Sequence, residues 1–319
     1  MISAEIRVAR RLLISYYAKR IYLGCRYRLD GFLNRRLDLN HLFVNSGVQR
    51  EPLETCFANY LIGRLDLALV DIGCNMGEFS FASAAPHTHT VLIDAQEDLL
   101  NFAHRRVSSI TRSCVKILGA AGINDDKLIR IAIPNNHSGG AYLYTDELAH
   151  VNNADHTIRA IPGINPQTYL NCNNQLVKAD IEGSELLLLE QFKTYGLLSK
   201  PDVYALEAST LEQALSYANL LSSEYRCFVL DELWATGKNM IKQLGICLKS
   251  LLTCRFYLKE VTPGNIAATH FPVTALFFIK KTTCIDLYSS STISLSLTNK
   301  YLFAPASLRP QPISEITYS

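Results

Sequence analysis

The segment Val70-Asp-Ile-Gly-Cys-Asn-Met-Gly77 has the residue types of a ligand-binding turn. Gly73 and Gly77 follow a short apolar run, so the backbone can come close to a ligand there. The segment lacks both the G-x-G-x-x-G order of dinucleotide-binding turns and the lysine of a P-loop. Because Asp71 repels phosphate, charge favours S-adenosylmethionine (SAM), with its ammonium and sulfonium groups, over NAD. A glycine-rich turn that binds nothing is the alternative.

A second acid and a turn of small residues fit the rest of such a ligand. Asp94 ends the second predicted strand, about twenty residues further on, where an acid can accept hydrogen bonds from both ribose hydroxyls. The turn Gly119-Ala-Ala-Gly122, which contains Ala120, leaves room for a flat adenine. The alternatives are an acid that complements a helix N-terminus and a small turn without a ligand.

The segment Val177-Lys-Ala-Asp-Ile-Glu-Gly-Ser-Glu-Leu186 brings further acids to the same edge of the predicted sheet. Asp180 and Glu182 follow a strand, and ligands of open α/β sheets bind at the carboxyl ends of strands. Carboxylates that meet at one edge need compensation, so we expect a cationic ligand or a proton-transfer role. Charge that complements a helix N-terminus is the alternative for Glu182 and the preferred interpretation for Glu185.

Alternating strands and helices must position these residues. Short apolar runs typical of buried strands alternate with segments whose apolar residues recur at helical spacing. This alternation predicts βαβ units and a parallel sheet, that is, an α/β fold. The predicted strands are 67–71, 90–94, 115–118, 175–180, 202–207, 226–230 and 273–279, and the predicted helices are 78–85, 97–110, 185–195 and 211–222.

Composition excludes several classes of protein. The chain has 319 residues, 48% apolar content and a net charge of +2, which argue against disorder and give no reason to expect a nucleic-acid partner. Nine irregularly spaced cysteines without a C-x-x-C pair argue against a disulfide framework and a zinc site. Reduced thiols and the lack of a secretory signal predict a cytoplasmic protein.

Three regions follow from the distribution of residue types. Residues 1–55 predict a basic helical extension, and residues 56–283 the main domain. Within it, the polar, turn-rich residues 122–170 predict an insertion with short strands over the sheet edge. Residues 284–319 are a tail rich in Ser and Thr that also contains Pro. A solvated helical cap is the preferred role of the extension, and weak contact with an anionic membrane surface is the alternative.

Five segments of the chain resemble the FkbM-type SAM-dependent methyltransferases. They are VDIGCNMGEFS, VLIDAQ, NHSGGAYL, VKADIEGSELLLLEQF and DVYALEAS, in an order and at separations that agree with that family. The K-x-D-x-E-G-x-E part is the most specific. Cys74, Asp94 and Ala95 depart from the usual Ala, Glu and Pro. The resemblance implies a class I methyltransferase fold, a Rossmann-like, seven-stranded sheet with helices on both faces.

The resemblance also implies methyl transfer from SAM to a hydroxyl group of a glycan or a secondary metabolite. It assigns contacts with the methionine part of SAM to Asp71, Gly73, Asn75 and Gly77. It further implies that Asp94 holds the ribose, that Asp180 stands beside the transferring methyl group, and that Glu182 helps to shape the acceptor pocket.

Transfer to a hydroxyl group requires a proton acceptor. Asp180 is the first candidate, and His137 in a polar loop is the second, with an exposed loop histidine as the alternative for His137. No His/Asp cluster demands a metal, so none is predicted. A nicotinamide-dependent oxidoreductase and a non-catalytic methyltransferase-like binding domain are the competing hypotheses. No feature of the sequence predicts an oligomeric state.

Overall fold

The computed structural model describes residues 52–122, 128–134, 140–144, 156–172, 174–231, 257–266 and 273–283. Residues 1–51 of the predicted extension, the candidate base His137 and the tail 284–319 lie outside the described residues. The predictions made for them stay predictions.

Eleven strands and five α-helices make up the described part of the chain. The strands are β1 (Ala68–Ile72), β2 (His89–Asp94), β3 (Ser113–Leu118), β4 (Leu128–Pro134), β5 (Tyr142–Leu143), β6 (His156–Pro162), β7 (Gln175–Ala179), β8 (Val203–Ala208), β9 (Tyr225–Asp231), β10 (Tyr257–Val261) and β11 (Val273–Lys280). The helices are α1 (Pro52–Leu65), α2 (Glu78–Ser83), α3 (Glu97–Ser108), α4 (Glu185–Thr194) and α5 (Leu211–Leu221).

The main sheet has eight strands in the order β10-β9-β11-β8-β7-β1-β2-β3. The β8-β7-β1-β2-β3 part is parallel, and β11 runs antiparallel to both β8 and β9. The chain reverses direction along the sheet between β3 and β7, which leaves the carboxyl ends of β1 and β7 side by side. This confirms the predicted α/β fold with a Rossmann-like, methyltransferase-like sheet.

The main sheet contains one strand more than the seven that were predicted, namely β10. It pairs antiparallel with β9 at the edge of the sheet. Its sequence, Tyr257-Leu-Lys-Glu-Val261, contains two adjacent charged residues and lacks the continuous apolar run of a buried strand. The strand exists because it pairs with β9. The spacing of apolar residues in its own sequence gives no sign of that pairing.

Apolar residues on the strands and on the facing helix surfaces form the core. Strand β7 is buried at all five positions, including the polar Gln175 and Lys178, as expected for a central parallel strand covered on both faces. Helix α1 packs on the same sheet, where Phe57 meets Phe277 of β11 edge to face at 4.8 Å between ring centroids. In α5, Thr210 forms a capping box with Gln213, which satisfies backbone donors at the helix start.

A separate three-stranded antiparallel sheet, in the order β5-β4-β6, is formed within the polar stretch between β3 and β7. An isolated bridge between Ala120 and Gly163 connects this part of the chain to the turn after β3. The small sheet is thereby held next to the carboxyl ends of the main strands. Among the described residues, no helix is long and apolar enough to cross a membrane.

Candidate functional site

The turn between β1 and α2 is held against the neighbouring strand β2. The N–H groups of Gly73 and Cys74 both donate to the carbonyl oxygen of Ile93, at 2.9 and 3.1 Å. Gly73, Asn75 and Gly77 have φ angles of 73°, 49° and 69°, in the left-handed region. Glycine adopts this region without a steric penalty, and asparagine tolerates it better than most residues. The residue types of the segment therefore fix the shape of the turn.

Gly73 is required because the turn crosses the chain segment that follows β7. A Cβ atom at Gly73 would lie 1.9 Å from the carbonyl oxygen of Asp180. At Gly77, a Cβ atom would meet the Cβ atom of Ala103 on α3 at 3.0 Å. Both glycines thus allow parts of the protein to approach each other. The expected close approach of a ligand to this turn stays a prediction.

Asp94 is fixed at the end of β2 by two backbone donors. Its Oδ2 atom accepts the N–H of Asn75 and its Oδ1 atom accepts the N–H of Gln96, both at 2.8 Å. The residue is only 8% exposed, and burial raises the pKa of its carboxyl group to about 6 against these hydrogen bonds. Each carboxylate oxygen keeps a lone pair for a further donor.

A cleft opens at the carboxyl ends of the parallel strands, between the main sheet and the small sheet. Six of the predicted site residues line it, namely Gly73, Asn75, Asp94, Ala120, Asp180 and Glu182. Asp71 and Gly77 are absent from its lining. The structure therefore brings both acidic segments together, but it places two of the predicted cofactor contacts outside the cleft wall.

The side of the cleft beyond Asp94 is made of small and apolar residues. The turn after β3 is tethered by hydrogen bonds from Gly119 N–H to the Asp94 carbonyl oxygen at 3.0 Å and from Ala120 N–H to the Pro162 carbonyl oxygen at 2.9 Å. The apolar and aromatic lining of this part comprises Ile93, Ala120, Ala121, Ile131, Ala141, Tyr142 and Leu143. Such a lining suits the flat, largely apolar ring system of a ligand.

Asn75 contributes an acceptor to the same cleft. Its side-chain Oδ1 atom is shielded from solvent and has no hydrogen-bond partner among the residues that the structure describes. A buried acceptor without a partner costs free energy unless a ligand donor or a water molecule satisfies it. Asn75 therefore offers a place for a donor such as an ammonium group.

Asp71 points away from the cleft and is fully buried. Its Oδ2 atom accepts the hydroxyl of Ser80 at 2.6 Å, and its Oδ1 atom lies 3.4 Å from the Nζ atom of Lys178. The Oδ1 atom makes no directed hydrogen bond within the described residues, so charge dominates its contact with Lys178. Part of the compensation that the clustered acids need thus comes from a lysine of the chain itself.

Glu185 holds the turn that carries Asp180 and Glu182 through a hydrogen bond to its backbone. The Glu185 Oε1 atom accepts the N–H of Ile181 at 2.7 Å, and its Oε2 atom accepts the hydroxyl of Tyr217 at 3.2 Å. Burial raises the pKa of the Glu185 carboxyl group. Glu185 therefore has a structural role at the start of α4. Glu182 is exposed at the cleft in a left-handed conformation, with a φ of 52°.

Several cleft residues were not among the predicted site residues. Gln96, Tyr142, Ser184 and Glu207 line the cleft, and Lys178 lies 3.3 Å from Asp180. Strand-end positions are a usable signal for Glu207 and Gln96, since both occur where strands β8 and β2 end. Tyr142 lies on β5, a two-residue strand that pairing with β4 forms, and no sequence pattern identifies it.

Comparison with known proteins gives structural neighbours only. No family model and no curated protein sequence matches the chain, so the resemblance to FkbM-type enzymes stays a prediction. The plantazolicin methyltransferase BpumL, solved in complex with SAH, is 11% identical with a TM-score of 0.33, over 88% of this chain and 97% of its own.

Two further neighbours are equally distant. A precorrin-8w decarboxylase of Methanobacterium thermoautotrophicum is 10% identical with a TM-score of 0.32, over 71% of this chain and 89% of its own. The MccD protein is 13% identical with a TM-score of 0.28, over 70% of this chain and 96% of its own. At these values the likeness gives no residue-by-residue correspondence.

Proposed function

We propose that the chain is a SAM-dependent methyltransferase that transfers a methyl group to a hydroxyl group of a small-molecule or glycan acceptor. The observation that carries this proposal is the Asp94 carboxylate, fixed in the cleft by the N–H groups of Asn75 and Gln96. On one side of it lies the small, apolar turn around Ala120, and on the other lies Asp180.

The cleft fits the separate parts of SAM. Asp94 offers acceptors for the two ribose hydroxyls, and the apolar wall around Ala120 suits an adenine. The unpartnered Oδ1 atom of Asn75 suits the ammonium of the methionine part, whereas phosphates would meet the carboxylates of Asp94 and Asp180. The antiparallel β11 between β8 and β9 also departs from the 3-2-1-4-5-6 order of dinucleotide-binding sheets.

Asp180 is the proposed catalytic base. SAM supplies a methyl group that is already activated on a sulfonium, so positioning of the acceptor accounts for much of the expected rate. Asp180 takes the proton of the acceptor hydroxyl as the oxygen–carbon bond forms and the carbon–sulfur bond breaks. Its side chain lies at the cleft and is one-third exposed, which leaves it accessible to an acceptor. Glu182 and Glu207 would shape the acceptor side of the cleft.

Isothermal titration calorimetry of the full chain tests the donor. We expect SAM and SAH to bind and NAD not to bind. Replacing Asp94 with Asn should weaken SAM binding at least tenfold, because charge-assisted hydrogen bonds to the ribose are worth about 1.5–3 kcal/mol. The matched control is Asp98→Asn at an exposed position of α3, which should leave the affinity unchanged.

Two outcomes would overturn this proposal. One is the lack of any heat with SAM at millimolar concentration while circular dichroism shows an intact fold. The other is binding of NAD in place of SAM, which would favour the oxidoreductase hypothesis. A panel of hydroxylated acceptors with methyl-labelled SAM then tests the reaction. Asp180→Asn should reduce turnover by about 10²–10⁴-fold and largely keep SAM binding; equal losses of both would argue against a base.

A further inference from the structure

The ammonium group of Lys178 joins the two acidic segments beneath the cleft. Its side chain is only 11% exposed. The Nζ atom lies 3.3 Å from Asp180 Oδ2, 3.3 Å from the carbonyl oxygen of Gly73 and 3.4 Å from Asp71 Oδ1. One cation thus contacts the β1–α2 turn, the buried acid of β1 and the candidate base after β7.

The contacts form a continuous path from the interior to the cleft. The Ser80 hydroxyl donates to Asp71, Asp71 pairs with Lys178, and Lys178 donates to Asp180. Asp71 and Lys178 are direct partners in the parallel pairing of β1 with β7. Because Asp71 is fully buried, loss of Lys178 would leave its charge without a cationic partner among the described residues.

Among the described residues that line the cleft, the other charged side chains around Asp180 are the acids Asp94, Glu182 and Glu207. Opposite charge nearby favours the ionised form of a carboxyl group, and like charge disfavours it. Lys178 therefore opposes the effect of the carboxylates around Asp180. The titratable groups that face this cluster from the surrounding elements are Asp71 on β1, Cys74 in the β1–α2 turn, Asp94 on β2, Glu182 and Glu185 at the start of α4, and Glu207 on β8.

We propose that Lys178 is a positioning residue that holds Asp180 at the cleft in its ionised form and ties it to the β1–α2 turn. The consequence for catalysis rests on the proposed function, because only a reaction that removes a proton needs an ionised Asp180. The electrostatic part concerns the free protein. It can be measured without SAM and without an acceptor.

Carbon-13 NMR of labelled aspartate carboxyl groups tests the inference in the free, full-length chain. Resonances are assigned with Asp180→Asn and Asp71→Asn. In Lys178→Met, the titration midpoint of Asp180 should rise by at least one pH unit, a tenfold change in proton affinity. Lys178→Arg should keep most of the wild-type midpoint. Lys193→Met, at an exposed lysine of α4, should leave it unchanged.

An unchanged Asp180 midpoint in folded Lys178→Met would overturn the inference. If that variant does not fold, Lys178→Gln, which keeps a donor without charge, takes its place with the same expectation. A second measurement keeps Lys178 intact and follows its Nζ resonance. Asp180→Asn should shift that resonance and speed its proton exchange, whereas Glu182→Gln should not. Equal responses in both variants would also refute the proposed contact.

Failure of this inference and failure of the proposed function are distinguishable. If wild-type protein binds no SAM but Lys178 controls the midpoint of Asp180, the function is wrong and the ion-pair network stands. If SAM binds and Lys178 has no effect on Asp180, the positioning role is wrong and the donor site stands.

Discussion

Substitution of Gly73 by Ala tests the crossing of the β1–α2 turn over Asp180, on which the geometry of the site depends. The added Cβ atom would lie 1.9 Å from the carbonyl oxygen of Asp180, far inside van der Waals contact. The obstacle is backbone and not the end of a flexible side chain, so one of the two segments must move. We therefore expect a large loss of stability and a displaced Asp180.

Two effects set the expected magnitude. Gly73 has a φ of 73°, and a left-handed conformation costs an alanine roughly 1–2 kcal/mol. Overpacking that moves the backbone costs about 1–3 kcal/mol more. The free energy of unfolding of Gly73→Ala should therefore fall by about 2–5 kcal/mol. This is a large share of the ~5–15 kcal/mol that stabilises a typical domain.

Two other glycines separate these effects. Gly196 has a φ of 67° but no atom within 4 Å of an added Cβ, so Gly196→Ala measures the cost of the backbone conformation alone. Gly63 lies in α1 with open space around it and without a positive φ, so Gly63→Ala should be neutral or stabilise by up to ~1 kcal/mol.

Urea unfolding of the full chain, followed by circular dichroism, provides the assay, with the m value checked for each variant. The expected order of stability is Gly63→Ala, wild type, Gly196→Ala and then Gly73→Ala. A loss for Gly73→Ala no larger than that for Gly196→Ala would refute the close crossing. The position assigned to Asp180 would then have to be revised.

Two further predictions concern buried polar groups. Burial raises the pKa of Asp94 from 3.8 to about 6, so between these pH values the folded state keeps a proton that the unfolded chain releases. The contribution of the Asp94 carboxyl group to the free energy of unfolding is therefore full below pH 4 and is lost as pH rises through 6. Urea unfolding should show wild type losing about 2–3 kcal/mol relative to Asp94→Asn between pH 4 and 7, and parallel curves would contradict the shift. Buried Gln191 accepts Gly122 N–H at 2.9 Å and donates to the Ile164 carbonyl oxygen at 3.2 Å, so Gln191→Ala should cost about 2–4 kcal/mol. Exposed Glu190→Ala should stay within about 0.5 kcal/mol, and equal losses would refute the role of this bridge.

Strong local patterns made most of the main sheet predictable. Strands β1, β2, β7 and β8 are almost entirely buried, as expected for strands covered on both faces, and each is followed by a helix. Short strands were expected within residues 122–170, but their bounds could not be predicted, since β5 has only two residues. No pattern predicts β10, which carries two adjacent charged residues. Pairing partners are distant in sequence, so periodicity gives no information about them.

The acids of the site could be located from sequence, but their environments could not. Asp71 and Asp94 both occur at a strand and both lie near glycine-rich turns, yet Asp71 faces the interior and Asp94 lines the cleft. Alternation along a strand places neighbours on opposite faces, but it does not say which face another layer will cover. The expectation that Asp71 and Gly77 contact the donor directly came from the resemblance to FkbM-type enzymes, and neither residue lines the cleft.

Lys178, the counter-ion of the clustered acids, could have been identified from the sequence if the strand order had been known. Lys178 and Asp180 are two residues apart, a spacing that puts side chains of an extended segment on one face. In the parallel pairing of β1 with β7, Lys178 lies opposite Asp71. Once β1 and β7 are known to be neighbours, the Lys178-x-Asp180 spacing and the position of Asp71 together indicate that one lysine lies between the two acids. The acidic edge then leaves less negative charge for a ligand to balance than its carboxylates alone would suggest. The proposed cationic donor would meet a site that Lys178 already holds in place.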